Sequence, residues 1–228
     1  MGYSKEEALK EANRCLLCKE PLCVKGCPVE INIPAFIKLL REDKPREALL
    51  KIKEKNSLPA VCGRVCPQED QCEAMCILNK KKVPVNIGAL ERYAADALSG
   101  VRLSVSANRQ PPTANRQPLK IAVVGSGPAG LTAAGELAKM RYSVTLFESL
   151  HIPVGVLSYG IPEFRLPKKI VEEEVDYIKG LGVEVKTDYL IGRTLSLEDL
   201  FAQGYKAVFL GLGAGLPQFL GIPGENLD

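Results

Sequence analysis

All eight cysteines of this 228-residue chain lie between Cys15 and Cys76, and nothing constrains its fold more than that crowding. So short a segment can hold so many thiols only by bridging them to one another or by wrapping them round metal. The start, MGYSKEEALKEANR, has no apolar core of a secretory signal, and a reducing cytosol keeps thiols free, so metal ligation is favoured over disulfides. No stretch approaches the ~18 to 20 uncharged apolar residues of a membrane span. Met1-Gly2 opens like a myristoylation site but places Glu6 where Ser or Thr is required. The expectation is a cytoplasmic protein without a membrane span. Its 46% hydrophobic and 25% charged fractions exclude a disordered chain.

Spacing narrows the metal. Cys15-x2-Cys18-x4-Cys23-x3-Cys27-Pro28 is a single tight run, and Cys62-x3-Cys66-Pro67-x4-Cys72-x3-Cys76 is a second, each containing Cys-Pro. Structural zinc sites pair two short hooks across a longer gap, whereas a run ending in Cys-Pro is like the bacterial ferredoxin run, here with x4 in place of x2 in the middle. Two 4Fe-4S clusters are expected, with the runs exchanging ligands as in two-cluster ferredoxins. A zinc-stapled binding module is the alternative, and it would be colourless.

Charge and pattern divide the chain into an α + α/β architecture. Residues 1–118 carry a net +6 and 119–228 a net −3. Two clusters of net charge about −2 each would offset most of the first value. The Lys80-Lys81-Lys82 run is either a solvated loop or a docking patch for an acidic redox partner. No recognition motif accompanies the charge, so nucleic acid is not expected.

Residues 1–100 read as a small helical domain. Ser4 and Glu7 form a capping box for a helix through Asn13; Asn32 and Pro34 open a second; Pro45 opens a third, which Asn56 and Pro59 stop. Cys62 to Cys76 reads as loop-rich, and a last helix runs from about Gly88 to Leu98, closed by Gly100. Residues 101–118, with ANRQP repeated, read as a linker. From 119 to 228 strands and helices alternate, the pattern of a parallel, Rossmann-like sheet that is incomplete here.

That sheet opens with Val124-Gly125-Ser126-Gly127-Pro128-Ala129-Gly130, after a strand and before a helix, the setting that makes GxGxxG a dinucleotide fingerprint. Gly125 makes the turn, Gly127 lets backbone approach a pyrophosphate, and Gly130 lets helix sit on strand. Glu148 ends the next strand, where a carboxylate can accept ribose hydroxyls and would repel a 2'-phosphate. FAD or NAD is therefore expected rather than NADP. Nicotinamides exchange hydrides and clusters exchange single electrons, and a flavin links the two, so FAD is the consistent choice. Gly211 and Gly213, after the last strand, are expected to let backbone pass near the cofactor.

The cysteine runs, the segments CGRVCPQEDQCEAMC and PVNIGALERYA, and VVGSGPAGL with Glu148 together resemble the small (beta) subunit family of NADPH-dependent glutamate synthase. The same module occurs in dihydropyrimidine dehydrogenase and in the large subunit of bifurcating NADH-dependent ferredoxin:NADP oxidoreductases. The resemblance implies that Cys15, Cys18, Cys23 and Cys76 hold one cluster. Cys27, Cys66 and Cys72 would hold the other with Glu91 as fourth ligand, leaving Cys62 spare. It also implies that Gly155, Leu157 and Arg165 line the flavin, although the loop ESLHIPVGVLSYG departs from the family's spacing just before them. His151 in that loop is read as structural or solvated.

In function the resemblance implies an NAD(P)H-dependent flavoprotein oxidoreductase that passes electrons between FAD and the clusters to a larger catalytic subunit. No residue here is assigned as catalytic. The family continues past GIPGEN into an NADPH-binding domain; no second GxGxxG occurs here, so the chain is expected to be a fragment or to need another chain for hydride delivery. A subunit of a bifurcating oxidoreductase, or a non-catalytic module merely stapled by clusters, are the alternatives.

Overall fold

The computed structural model describes residues 2–98, 118–215 and 220–225. In the first part, α1 (Lys5–Asn13) starts where expected, with the Ser4 hydroxyl accepting from the Glu7 N–H while the Glu7 carboxylate accepts from the Ser4 N–H. A short α2 (Leu22–Lys25) follows, then α3 (Ile33–Arg41), capped by Asn32, and α4 (Pro45–Lys53), whose Pro45 occupies the first turn where no N–H is missed. Phe36 and Ile37 of α3, Ile52 of α4 and Leu90 of α6 (Ile87–Asp96) are wholly buried together, so the helices pack round one apolar centre.

One expectation is corrected. Pro59 does not stop a helix; it opens α5 (Pro59–Val65), and Cys62 sits within that helix rather than in a loop. α4 has already ended at Lys53. A proline reads equally as a stop or as a first-turn residue, and the structure uses the second. The segment beyond, to Cys76, is irregular apart from a short 3-10 turn, Gln68–Asp70. Gly100 and almost all of the proposed linker lie outside the described residues.

In the second part β1 (Lys120–Val124), β2 (Ser143–Phe147), β3 (Glu184–Lys186) and β4 (Tyr205–Leu210) form a parallel sheet in the order β3-β2-β1-β4. The helices are α7 (Pro128–Lys139), α8 (Val156–Tyr159), α9 (Lys168–Gly180) and α10 (Leu197–Ala202). Strands β1 and β2 each bury four of their five residues, as a strand covered on both faces must.

The two parts share a core. Leu58 and Val61 pack with Val123, Leu131, Leu146 and Ile178 of the sheet half. Beside them the Lys53 ammonium meets Glu174 of α9 at 2.8 Å, with both side chains 6% exposed, and lies 3.6 Å above the Tyr177 ring. The second Glu174 oxygen accepts the Ala60 N–H at 2.9 Å, near the start of α5. Burial lowers the Lys53 pKa while Glu174 pulls it back up. Ser57 donates to Glu136 at 2.9 Å and Lys139 donates to the Lys53 carbonyl at 3.0 Å. The approach is close enough that a Cβ at Gly135 would lie 3.3 Å from the Ser57 hydroxyl.

Removing one partner of a buried pair strands the other charge, at about 3–5 kcal/mol. Lys53→Met is therefore expected to lower the urea midpoint by that amount of stability. Lys5→Ala, which breaks the exposed pair with Asp43, is expected to leave the midpoint where it was.

Candidate cluster cages and dinucleotide cradle

Four thiols line one small cavity. Cys15, Cys18, Cys23 and Cys76 border a space of about 90 Å³ that is otherwise mainly apolar, with Leu22, Met75 and Ile77 at its edge. Cys15 is delivered by the end of α1, whose last carbonyls are gripped from α3: Arg41 donates to Ala12 at 2.9 Å, to Asn13 at 3.2 Å and to Cys15 itself. Arg14 reaches the Val83 and Pro84 carbonyls, tying in the chain beyond Cys76. Burial pushes the Cys23 thiol up to about 11, and the neighbouring Cys15 and Cys76 push the same way. Four sulfurs gathered round one mainly apolar pocket suit a positively charged iron-sulfide core that takes them as thiolates.

The remaining thiols gather round a buried carboxylate. Glu91, on α6, is 6% exposed. Burial raises its pKa to about 8, with the Cys66 thiol and Glu174 adding to the rise and an Asn56 hydrogen bond opposing it. The Cys72 thiol is raised to about 12 by burial, then by Glu73, Cys27 and Glu91. Interaction with Cys62 holds the Cys66 thiol down at about 7, while Cys66, burial and Glu91 hold Cys62 up. Glu91 thus neighbours Cys62, Cys66 and Cys72, and Cys72 in turn neighbours Cys27. A carboxylate this deeply buried, whose sole donor among the described residues is the Asn56 amide at 2.8 Å, is costly unless a cation joins it. That donor set fits iron. Among the described residues no three His, Cys, Asp or Glu side chains converge tightly enough for a single metal ion; the first group rings a cavity rather than a point.

The glycine loop is built by three backbones in contact. Gly125 has φ +93°, and a Cβ there would meet the Gly211 carbonyl at 2.3 Å; a Cβ at Gly130 would meet the Gly125 carbonyl at 1.8 Å. Gly127 is different: nothing lies within 4 Å of a Cβ built on it. It precedes the first turn of α7 with no side-chain cap, and Pro128 and Ala129 there are exposed. An exposed helix start of this kind, free of a side-chain cap, is the cradle a pyrophosphate requires. The site therefore fits a dinucleotide.

Glu148 is buried and already carries four donors. One oxygen accepts the Ser126 N–H at 2.9 Å and the Ser126 hydroxyl; the other accepts the Leu150 N–H and the Ser149 hydroxyl, each at 3.0 Å. Burial works to raise its pKa, but these bonds outweigh it and the net shift is downward. Ser126 also accepts the Val154 N–H at 2.7 Å. Val154 stands at φ +92°, a strained conformation for a β-branched residue, in the very loop whose spacing was odd. Gly155 follows at φ +53° and rests against Gly127, its Cβ position 3.4 Å from the Gly127 Cα.

The other expected flavin-lining residues are less gathered. Leu157 is buried in the shared core. Arg165 is exposed without a side-chain partner among the described residues, beside Phe164, which is 91% exposed. Gly213 has φ +72° with open space before it. His151 is exposed, edge-on to Tyr159. Sequence reasoning missed Lys53, Asn56 and Glu174. Asn56 had one signal, an amide residue shortly before a helix start; the other two had none, because they meet across 121 residues.

Gly130→Ala is expected to abolish flavin binding and lower thermal stability, since backbone blocks its Cβ. Gly127→Ala is expected to keep the unliganded melting temperature yet weaken FAD binding by about tenfold or more, equivalent to about 1.4 kcal/mol, in a fluorescence titration.

Comparison with known proteins agrees with this geometry. Residues 1–102 match the family described as dihydropyrimidine dehydrogenase domain II, 4Fe-4S cluster, and residues 119–228 match pyridine nucleotide-disulphide oxidoreductase. The chain is 37% identical over 228 residues to the glutamate synthase [NADPH] small chain of Escherichia coli K12, covering 99% of this chain and 47% of that one. It is 38% identical over 215 residues to the NAD-dependent dihydropyrimidine dehydrogenase subunit PreT of Escherichia coli O157:H7, covering 93% and 51%. The small chain of Azospirillum brasilense is 35% identical over 227 residues, covering 99% and 46%. The chain thus spans about half the length of these relatives. No helix among the described residues is long and apolar enough to cross a membrane. Over its length the chain is similar to the glutamate synthase small chains and PreT subunits, with a first part that matches the dihydropyrimidine dehydrogenase domain II 4Fe-4S family and a second part that matches the pyridine nucleotide-disulphide oxidoreductase family.

Proposed function

We propose that this chain is the electron-transfer half of an NAD(P)H-dependent iron-sulfur flavoprotein of the glutamate synthase small-subunit type, working with a larger catalytic subunit. Cys15, Cys18, Cys23 and Cys76 hold one 4Fe-4S cluster, and Cys27, Cys66, Cys72 and Glu91 hold the second. FAD lies on the glycine loop, its pyrophosphate at Gly125, Ser126, Gly127 and the first turn of α7, with Gly155, Leu157, Arg165 and Gly213 around it and Glu148 toward the ribose. To accept ribose hydroxyls Glu148 has to release a present donor, and the Ser149 hydroxyl is free to turn away. The bound groups supply the conversion of a two-electron donation into single-electron steps; hydride arrives from an NAD(P)H-binding part outside these residues.

The observation that carries the reading is the burial of Glu91 among thiols with one hydrogen-bond donor. Placement supports it. α5, which bears Cys62 and Cys66, starts at the Lys53–Glu174 contact with the sheet half, so the carboxylate-containing cage is the one beside the flavin domain. The all-thiol cage is bordered by exposed Leu16 and Ile77, where electrons leave for the partner. The chain's own work is to exclude water from both cages and to hold them at a fixed separation from the flavin.

Anaerobic purification with iron, acid-labile sulfide, zinc and flavin measured per chain is expected to give about eight irons, matching sulfide, and one flavin. Dithionite is expected to bleach the visible spectrum reversibly. Zinc without sulfide would overturn the reading, and clusters that never change redox state would reduce them to staples.

A further inference from the structure

Nine candidate ligands compete for eight places, and one buried side chain touches both rivals for the last. Asn56 lies between α4 and α5 and is 5% exposed. Its Oδ1 accepts the Leu58 N–H at 2.9 Å, a turn of the Asx type that leads the chain into α5. Because only the carbonyl end of an amide accepts, that bond fixes which way the side chain faces. Nδ2 is left to donate to Glu91 Oε1 at 2.8 Å, and Oδ1 also receives the Cys62 thiol, with Sγ at 3.7 Å. The Asn56 N–H bonds the Ile52 carbonyl at 2.9 Å, and the residue lies just after Lys53, so the contact between the two halves also holds this amide in place.

Resting on the ligation by Glu91 proposed above, we infer that Asn56 is a positioning residue that selects Glu91 over Cys62 as fourth ligand of the second cluster. The amide N–H orients Glu91 by one oxygen and leaves the other open, while the carbonyl engages the Cys62 sulfur as a hydrogen-bond donor and so occupies it. One side chain thus presents Glu91 to the cluster and holds Cys62 back. With Oε1 engaged by Asn56, Glu91 keeps a single oxygen for the metal.

The test uses the anaerobically purified protein, with iron per chain and the electron paramagnetic resonance spectrum of the reduced clusters as readouts. Asn56→Asp keeps the acceptor for Leu58 but sets a carboxylate against Glu91; Asn56→Ser keeps a cap for the turn and is too short to reach Glu91. Cys62→Ala alone is expected to leave about eight irons and an unchanged spectrum. Each Asn56 variant is expected to keep its iron with an altered spectrum, as Cys62 takes the vacated place. Adding Cys62→Ala to either is then expected to drop iron to about four. Asn56 variants with the original spectrum, indifferent to Cys62→Ala, would overturn the inference and leave Glu91 as ligand. Folded Asn56 variants that fall to about four irons with Cys62 still present would overturn the selection against Cys62. Loss of half the iron in Cys62→Ala alone would make Cys62 a ligand, and the assignment of Glu91 itself would fail.

Discussion

A carboxylate removed from water must find compensation, and two such groups organise this molecule. Glu174 finds it within the protein: Lys53 and the Ala60 N–H satisfy its two oxygens, and Tyr177 backs the ammonium. Glu91 does not. It is buried to a similar depth with one amide donor and thiols for neighbours. The first carboxylate joins the two halves; for the second it is the proposed cluster that would supply the compensation. Both act on the same short stretch, residues 53–62, so the joint between domains and the support of the second cage are one piece of structure.

That economy has a consequence for electron transfer. Leu58 and Val61 belong to the apolar core of the sheet half although they come from the helical half. The cage built from α5 and α6 therefore cannot drift relative to the sheet without breaking that shared core. On the sheet side, the contact of Gly125, Gly130 and Gly211 backbones fixes the cradle with equal stiffness. The proposed cage and the proposed cradle are thus joined through side chains that the two halves share.

Much of this was legible from residue order alone, and the limits have physical causes. Caps are local, so Ser4 with Glu7, and Asn32, announce helices that form as read. Glycines whose backbone must touch other backbone announce themselves too: Gly125 and Gly130 behave as the fingerprint requires. Pro59 was ambiguous because the same ring that ends one helix suits the first turn of the next. Lys53 with Glu174 was invisible because no local pattern links residues so far apart in the chain. Glu91 could be singled out only by family likeness, since on α6 its spacing is that of any exposed helical glutamate; burial is what sets it apart. The Glu148 carboxylate was read correctly in place but not in occupancy, because Ser126, Ser149 and Leu150 reach it only once the loop after β2 has folded back.

The claim at the centre is that Glu91 is buried in order to bind iron. Mössbauer spectroscopy of protein loaded with iron-57 tests it most directly. The account predicts about eight irons in two cubanes with one site set apart by an oxygen ligand, and the loss of that site's signature in Glu91→Cys. Spectra in which every iron is bound only by sulfur would contradict it.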